Sequence, residues 1–529
     1  MFDYLIKNGQ LIDGTGSPAR RADVGITDGK IASIGDLSAA QAGTVIDAAG
    51  KTVTPGFIDI HRHADAAIFR THFGELELKQ GLTTIVNGNC GLSVTPCSGP
   101  YRGEIEAYLT PVTGELPADA DCSSMQAYLD AARRQPSPIH TAMLAGSGTI
   151  RACAAGFSAP TLDAAQLRTV RSLIERELAA GALGVSLGLG YAPDCFYSTE
   201  TLIEALRPLQ DSGIPITVHM RQEGSGVVGA LQEMIAVARA LRTPVEISHL
   251  KSIGKANWRS CTPEMLRLMA EARQEGVRIA CDVYPYTAGS TQLVHVLPPE
   301  TQQGGMEALT EHLADPAFRE TLKARMLTGS DFENISLLAG FENIVVSSVR
   351  LDGLRQYEGQ SIAQIAEQQG KDPFTCLFDL LQAAHCDVTM IDFIAAEDDI
   401  CDILRDAHSC VISDSTYPTT GMLHPRVYGT YTTLLEHFVR EKQVLSLEAA
   451  VHKVTGRPAA VIGLRTKGVL AQGMDADINI FDPAQIHTRA TYQDPAQFSD
   501  GLDTVFVSGQ PAILHGALTG RKYGTVLTR

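Results

Sequence analysis

Two histidines one residue apart, His61 and His63, close the apolar run Pro55-Gly56-Phe57-Ile58-Asp59-Ile60. In a strand, alternate side chains share a face, so both imidazoles project to the same side. Such a pair can hold a metal; taken alone, it reads equally well as a strand end with two surface histidines. The metal reading gains weight when other apolar runs are followed to their ends. Thr83-Thr84-Ile85-Val86 leads into Asn87-Gly88-Asn89-Cys90-Gly91, the runs at 216–219 and 245–249 end in His219 and His249, and the run at 410–413 is followed by Asp414. Imidazole, thiolate and carboxylate are the donors zinc takes, and a catalytic site leaves one position open for water. A zinc-bound water ionises near pH 7 and a zinc-bound carbonyl is polarised, which is the chemistry of hydrolysis. A lone histidine at a strand end is ordinarily structural, and a lone cysteine is ordinarily buried packing. The coincidence of all of them at strand ends is not explained that way.

The elements that must position these groups follow from the pattern of apolar runs. Short strands are expected at 57–60, 83–86, 139–144, 184–187, 216–219, 245–249, 279–283 and 410–413, with amphipathic helical stretches such as 164–178 and 226–241 between them. Alternation of this kind predicts an α/β fold, a (β/α)8 TIM-like barrel whose site lies at the C-terminal strand ends. Residues from about 298 to 390 break the rhythm and read as a mostly helical insertion before the last barrel strand, with helices at 310–326, 361–369 and 374–383. Both chain ends are instead β-rich, with hairpin signals at Asn8-Gly9 and Asp28-Gly29 and strand-like runs at 478–481 and 504–508. The expected organisation is a small β-sandwich domain from residues 1–54 and 465–529, flanking a barrel over 55–464.

Composition narrows the function classes. The chain has 529 residues, 44% hydrophobic and 19% charged, and a formal net charge of -17. That balance argues against nucleic acid or an anionic membrane as partner, since both need a basic face. No apolar run approaches a membrane span, and Met1-Phe2-Asp3-Tyr4 does not open a secretory leader. The 11 cysteines show no framework spacing, so a reduced, cytoplasmic setting is expected.

The run from Pro55 to His63 resembles the HxH signature of the amidohydrolase superfamily. More closely, the chain resembles the D-aminoacylase (N-acyl-D-amino-acid deacylase) family, through GFIDIHRHAD, GLTTIVNGNCGLS, GALGVSLGLGYAP, VHMRQEG, ISHLKSIG, DVYPYTAGST, ISDSTYPTTGMLHPRVYGT and LSLEAAVHKVTGRPAAVIGL. These segments run through nearly the whole chain in family order. NGNCG and HPRxYGT are specific, whereas HxH alone is not. The resemblance implies that Cys90, His219 and His249 hold one zinc ion tightly, that His61 and His63 form a weaker second metal position, and that Asp414 is the catalytic carboxylate. Hydantoinases and dihydroorotases, a related branch, bridge their metals with a carbamylated lysine. The matching stretch here, Gly184-Val185-Ser186-Leu187-Gly188, has no lysine, and a Cys90 thiolate can take the bridging role.

The implied reaction is zinc-dependent hydrolysis of an N-acyl-D-amino acid, with Asp414 taking a proton from water and returning it to the leaving amine. The other readings are a cyclic-amide or dipeptide hydrolase of the same superfamily, and a non-catalytic scaffold. The substrate's α-carboxylate calls for a cation, for which Lys251 and Arg426 are candidates, Arg for its bidentate geometry. Tyr191, Tyr284 and Ser290 follow other barrel strands and are hydrogen-bond donors; all five match positions the family uses for substrate. Arg221 and Glu223 are placed to support the metal site, and Arg350 is a candidate second carboxylate anchor. Side-chain preference, acyl length and oligomeric state are not written in these motifs, and the D configuration follows from the resemblance alone.

Overall fold

Valine, isoleucine and threonine crowd a series of short runs, and where such runs are apolar on both faces they form parallel strands buried between layers. The computed structural model describes residues 1–418 and 420–529, and in it Leu82–Asn87, Val185–Gly188, Ile216–His219, Val245–Ile247 and Ile279–Val283 are buried at every position. One parallel sheet has the order His140–Met143, Leu82–Asn87, Phe57–Asp59. A second runs Ala145–Gly146, Val185–Gly188, Ile216–His219, Val245–Ile247, Ile279–Val283, Ser409–Val411, also parallel throughout. The chain passes from His140–Met143 to Ala145–Gly146 across Leu144 alone, so one extended segment serves both sheets. At the opposite edges Arg62 and Ser415 form a parallel bridge. Across that seam the His63 N–H donates to Ser415 O at 2.9 Å and the Asp414 N–H to His61 O at 3.0 Å.

Helices cover these strands. Ala164–Ala179 starts at a capping box in which the Asp163 side chain accepts from the Ala165 and Gln166 N–H groups. Val227–Leu241 buries Ala230, Leu231, Met234 and Val237 against the strands and ends where Arg242 turns left-handed.

Both termini contribute to two further sheets. Phe2–Lys7, Asp23–Thr27, Lys30–Gly35 and Ala42–Asp47 form one; in the other, Ile478–Phe481 pairs antiparallel with Thr52–Pro55 and with Leu502–Val507. Ile6, Val24, Ile26, Val53, Ile478 and Phe506 share one apolar cluster between them. Thr52–Pro55 runs into Phe57–Asp59 through Gly56 alone, and a Cβ there would lie 2.2 Å from Thr83 Oγ1, so glycine lets the two strands approach.

The segment expected to be a mostly helical insertion has the helices Pro316–Thr328, Ile362–Gln369 and Pro373–Ala383. Its strand Ile344–Val349 joins an antiparallel sheet with Val388–Phe393, which crosses the expected end at 390, and Ala288–Gln292, which precedes the expected start at 298, and an apolar cluster around Leu293, Leu377 and Met390 spans these bounds. Ala-Gly-Ser-Thr-Gln has no apolar alternation, and it becomes a strand because Val388–Phe393 offers it a ladder. No helix among the described residues is long and apolar enough to cross a membrane.

Candidate active site

The strand ends converge as their sequence suggested. His61 Nε2 lies 3.2 Å from Cys90 Sγ, Cys90 Sγ 3.5 Å from His249 Nε2, and His249 Nε2 3.1 Å from His219 Nδ1. Asp414 Oδ1 sits 3.4 Å from His61 Nε2 and 3.3 Å from His63 Nε2. Donor atoms of His61, Cys90, His249 and Asp414 all fall within 4.8 Å of one another, and a second such group joins His249 to His219 and Glu223. All of these residues are buried.

Three of them hold unusual backbone. Cys90, His249 and Asp414 have φ of 53°, 35° and 51°, left-handed conformations that cost a non-glycine residue energy. Each strand has ended before its ligand. The expected strand 245–249 stops at Ile247, and the turn brings the His249 ring back over the strand ends.

The surroundings fix the site's charges. Burial alone would raise the Cys90 pKa, but the imidazoles of His61, His219 and His249 hold the thiol well below its ordinary value. Burial likewise opposes the charge on Asp414, which Arg426, His61 and His63 nonetheless keep well below the usual carboxylate range. Glu223 receives His249 Nδ1 at 2.9 Å and Lys251 Nζ at 2.7 Å. Lys251 Nζ also lies 2.8 Å from His249 Nδ1; in the tautomer that donates Nδ1–H to Glu223, the His249 lone pair lies on Nε2, the nitrogen facing Cys90 and His219. Buried His61 Nδ1, His63 Nδ1 and His219 Nε2 have no hydrogen-bond partner among the described residues. Those are the far ring nitrogens; the near ones, His61 Nε2, His63 Nε2, His249 Nε2 and His219 Nδ1, crowd at 3.1–3.5 Å on the Cys90 thiolate, the Asp414 carboxylate and one another, a donor set that fits a zinc ion better than it fits itself.

A narrow cavity opens over this cluster, with His63, Cys90, His219, His249 and Asp414 on its floor and Tyr191, Lys251, Tyr284 and Ser290 in its walls. The Tyr191 ring packs 4.4 Å from that of His219, and its hydroxyl meets Thr291 Oγ1 at 3.0 Å. Burial pushes the Tyr284 phenol up to about 12, so it stays a donor.

Arg426, expected to meet the substrate carboxylate, is fully buried and does not line the cavity. Its Nη1 pairs with Asp414 Oδ2 at 3.0 Å, its Nη2 donates to Ser290 O at 3.0 Å, and its guanidinium lies 4.8 Å from the Tyr284 ring centre. It fixes Asp414 from behind. Arg350 is far from this role, since it is half exposed and pairs with Glu115 and Asp387. Arg221 braces the loop after Val185–Gly188 by donating to Cys195 O and Tyr197 O while paired with Glu233.

Some contributors had a weak signal or none. Asp282, an acid inside the buried strand Ile279–Val283, accepts the His249 N–H and lies 3.7 Å from His61 Nδ1. An acid in an otherwise apolar run was the available clue. Asp59 accepts from Ser413 Oγ at 2.5 Å and from the Ser413 and His61 N–H groups at 3.2 Å each, tying the first strand to the last. His295, which reads as structural in the sequence, lines the cavity and packs 4.6 Å from Tyr191.

The model of the family described as "Amidohydrolase family" matches residues 44–513. The chain is 34% identical to D-aminoacylase of Alcaligenes xylosoxydans xylosoxydans over 538 residues, covering 100% of this chain and 98% of the relative. It is 33% identical to N-acyl-D-glutamate deacylase of the same organism, covering 100% and 96%. Among solved structures, N-acyl-D-glutamate deacylase from Bordetella bronchiseptica, complexed with zinc and a phosphonate inhibitor that mimics the reaction's tetrahedral intermediate, superposes with a TM-score of 0.84 at 32% identity and full coverage of both chains.

Proposed function

The chain belongs to the amidohydrolase family, and from that premise we propose that it uses zinc to hydrolyse the amide bond of N-acyl-D-amino acids, giving a carboxylate and a free D-amino acid. The observation that carries this reading is the convergence of His61, Cys90, His249 and Asp414 within 4.8 Å, the last three lining a cavity that also presents Lys251. Relatives that are D-aminoacylases and D-glutamate deacylases support the substrate class.

In this reading Cys90, His219 and His249 hold the tighter ion, and His61 and His63 a second, weaker position. A bound zinc supplies Lewis acidity at the scissile carbonyl. The remaining work belongs to the chain. Asp414 Oδ1 takes the proton of the attacking water and hands it to the departing nitrogen, while Arg426 clamps Oδ2 so that the free oxygen stays aimed at the cavity. Lys251, its charge secured by Glu223, attracts the α-carboxylate, and Tyr191, Tyr284 and Ser290 orient the substrate by hydrogen bonds. The same reading takes the Arg62–Ser415 bridge as the closure of an eight-stranded barrel over 55–464, with an insertion at about 298–390 and a β-sandwich built from 1–54 and 465–529.

A stereo-paired panel of N-acetyl-D- and N-acetyl-L-amino acids, assayed beside a hydantoin with and without added zinc, tests it. The D series is expected to be hydrolysed and the L series spared. Cleavage of the hydantoin alone would overturn the assignment.

A further inference from the structure

Beyond Lys251 the cavity carries two carboxyl groups that the proposed chemistry does not use, Asp392 and Glu333. Asp392 lies near the end of the strand Val388–Phe393, and Glu333 precedes the short helix Ile335–Leu338. Asp392 is 2% exposed, and its Oδ1 has no hydrogen-bond partner among the described residues. A buried polar atom left unpaired is costly unless a ligand completes it. Glycine at 289 leaves this oxygen open, because a Cβ there would sit 2.8 Å from Asp392 Oδ1. Glu333 accepts the backbone N–H of Glu223 with one oxygen and has its other 3.6 Å from His295 Nε2.

No arginine lines the cavity among the described residues, and Lys251 already answers Glu223. Ile253, Ile335 and Ile394 supply apolar wall beside the two acids. Apolar wall ending in two carboxyl groups, one with an unpaired oxygen, is complementary to a side chain with an aliphatic stem and a cationic tip. A carboxylate tip would meet like charge in a desolvated space, which costs binding.

We infer that Asp392, backed by Glu333, determines side-chain specificity, and that this subsite takes a D-amino acid ending in an ammonium or guanidinium group and rejects one ending in a carboxylate. The inference rests on the reading that the cavity binds N-acyl-D-amino acids. Burial holds the Asp392 carboxyl up to about 6, against His295 and Lys251, so an arriving cation completes a charge the protein leaves unsettled.

The test is kcat/KM for N-acetyl-D-lysine, -D-arginine, -D-leucine and -D-glutamate with the zinc-loaded enzyme, its Asp392→Asn variant and its Glu333→Gln variant. The expected order in the parent enzyme is cationic, then leucine, then glutamate, with lysine ahead of leucine by about tenfold or more. Asp392→Asn should reduce that lysine-to-leucine ratio about tenfold and raise glutamate relative to leucine. A purely structural role would lower all four substrates together. Nα,Nε-diacetyl-D-lysine, which keeps the stem and removes the charge, makes the same comparison without a variant and should lose the lysine advantage. Leucine or glutamate matching lysine in the parent enzyme, or a ratio untouched by Asp392→Asn, overturns the inference and leaves the deacylase reading standing. No turnover of any member overturns the deacylase reading, and this inference with it.

Discussion

Replacing Glu223 by glutamine separates two tasks that one carboxylate performs. Oε1 receives His249 Nδ1 at 2.9 Å, and Oε2 receives Lys251 Nζ at 2.7 Å. Glutamine keeps the shape but offers one acceptor and one NH2 group. Whichever way the amide lies, either His249 or Lys251 faces a donor instead of an acceptor. The ammonium of Lys251, 7% exposed, also loses its counter-charge. Breaking a buried pair from one side costs about 3–5 kcal/mol, and the one retained hydrogen bond offsets about 1, which leaves a net loss of about 2–4 kcal/mol in unfolding free energy. The second effect is on the metal. Without an anion at Nδ1, the His249 tautomer that presents Nε2 is no longer enforced, and zinc affinity should fall about 10–100-fold. Urea unfolding of the chelator-treated protein reads the first quantity, and competition with a chromophoric chelator reads the second. KM should rise with Lys251 disordered. A variant that loses stability but keeps parental zinc affinity would refute the argument that Glu223 sets the His249 tautomer. A variant unchanged in both would refute the account of the carboxylate altogether.

Other perturbations isolate other parts. Asp414→Asn should keep its zinc, measured by metal analysis, and lose about two to four orders of magnitude in kcat, since the amide takes up no proton at that position. Asp194 bears on stability against pH. Burial raises its carboxyl from 3.8 to about 6, against the Gly188 N–H and the Arg151 charge. Its folded-state pKa therefore lies above the unfolded one. The associated stability is fully present below the unfolded value and is lost as pH rises through 6, by about 3 kcal/mol for a shift of this size. Asp194→Asn removes that term, so the unfolding free energy of the parent should drop relative to the variant between pH 4 and 7. A constant difference across that range would contradict it.

Much of this molecule is legible in its residues, and the exceptions share a cause. The strands Leu82–Asn87 and Ile279–Val283 are β-branched or apolar at every position but Asn87 and Asp282, so local pattern and tertiary role agree. His219 and Asp414 are legible because strand ends in this architecture face one rim. Ala288–Gln292 is not, since its small polar residues form a strand only against a partner far along the chain. The direction of Arg426 is also unreadable. A guanidinium just past Asp414 serves equally well inside the cavity or behind the carboxylate, and only packing on Tyr284 and Ser290 O puts it behind. His295 and Asp392 escape notice for the same reason, because the segment carrying them folds back over the cavity from outside the strand series.

The seam joining the first strand to the last has a consequence for how the molecule is made. Asp59 and Ser413 are 354 residues apart in sequence. Bringing such distant points together costs roughly 5 kcal/mol in loop entropy beyond the length-independent constant, which no local contact repays. The seam is therefore among the last contacts to form as the chain folds. A nascent chain can already bring Cys90, His219 and His249 together while Asp414 is still to be synthesised or docked. On the proposed ligand assignment, such a chain captures metal before it turns over substrate. The carboxylate proposed as proton carrier arrives with the final strand, so assembly itself holds the proposed chemistry back until the protein is whole.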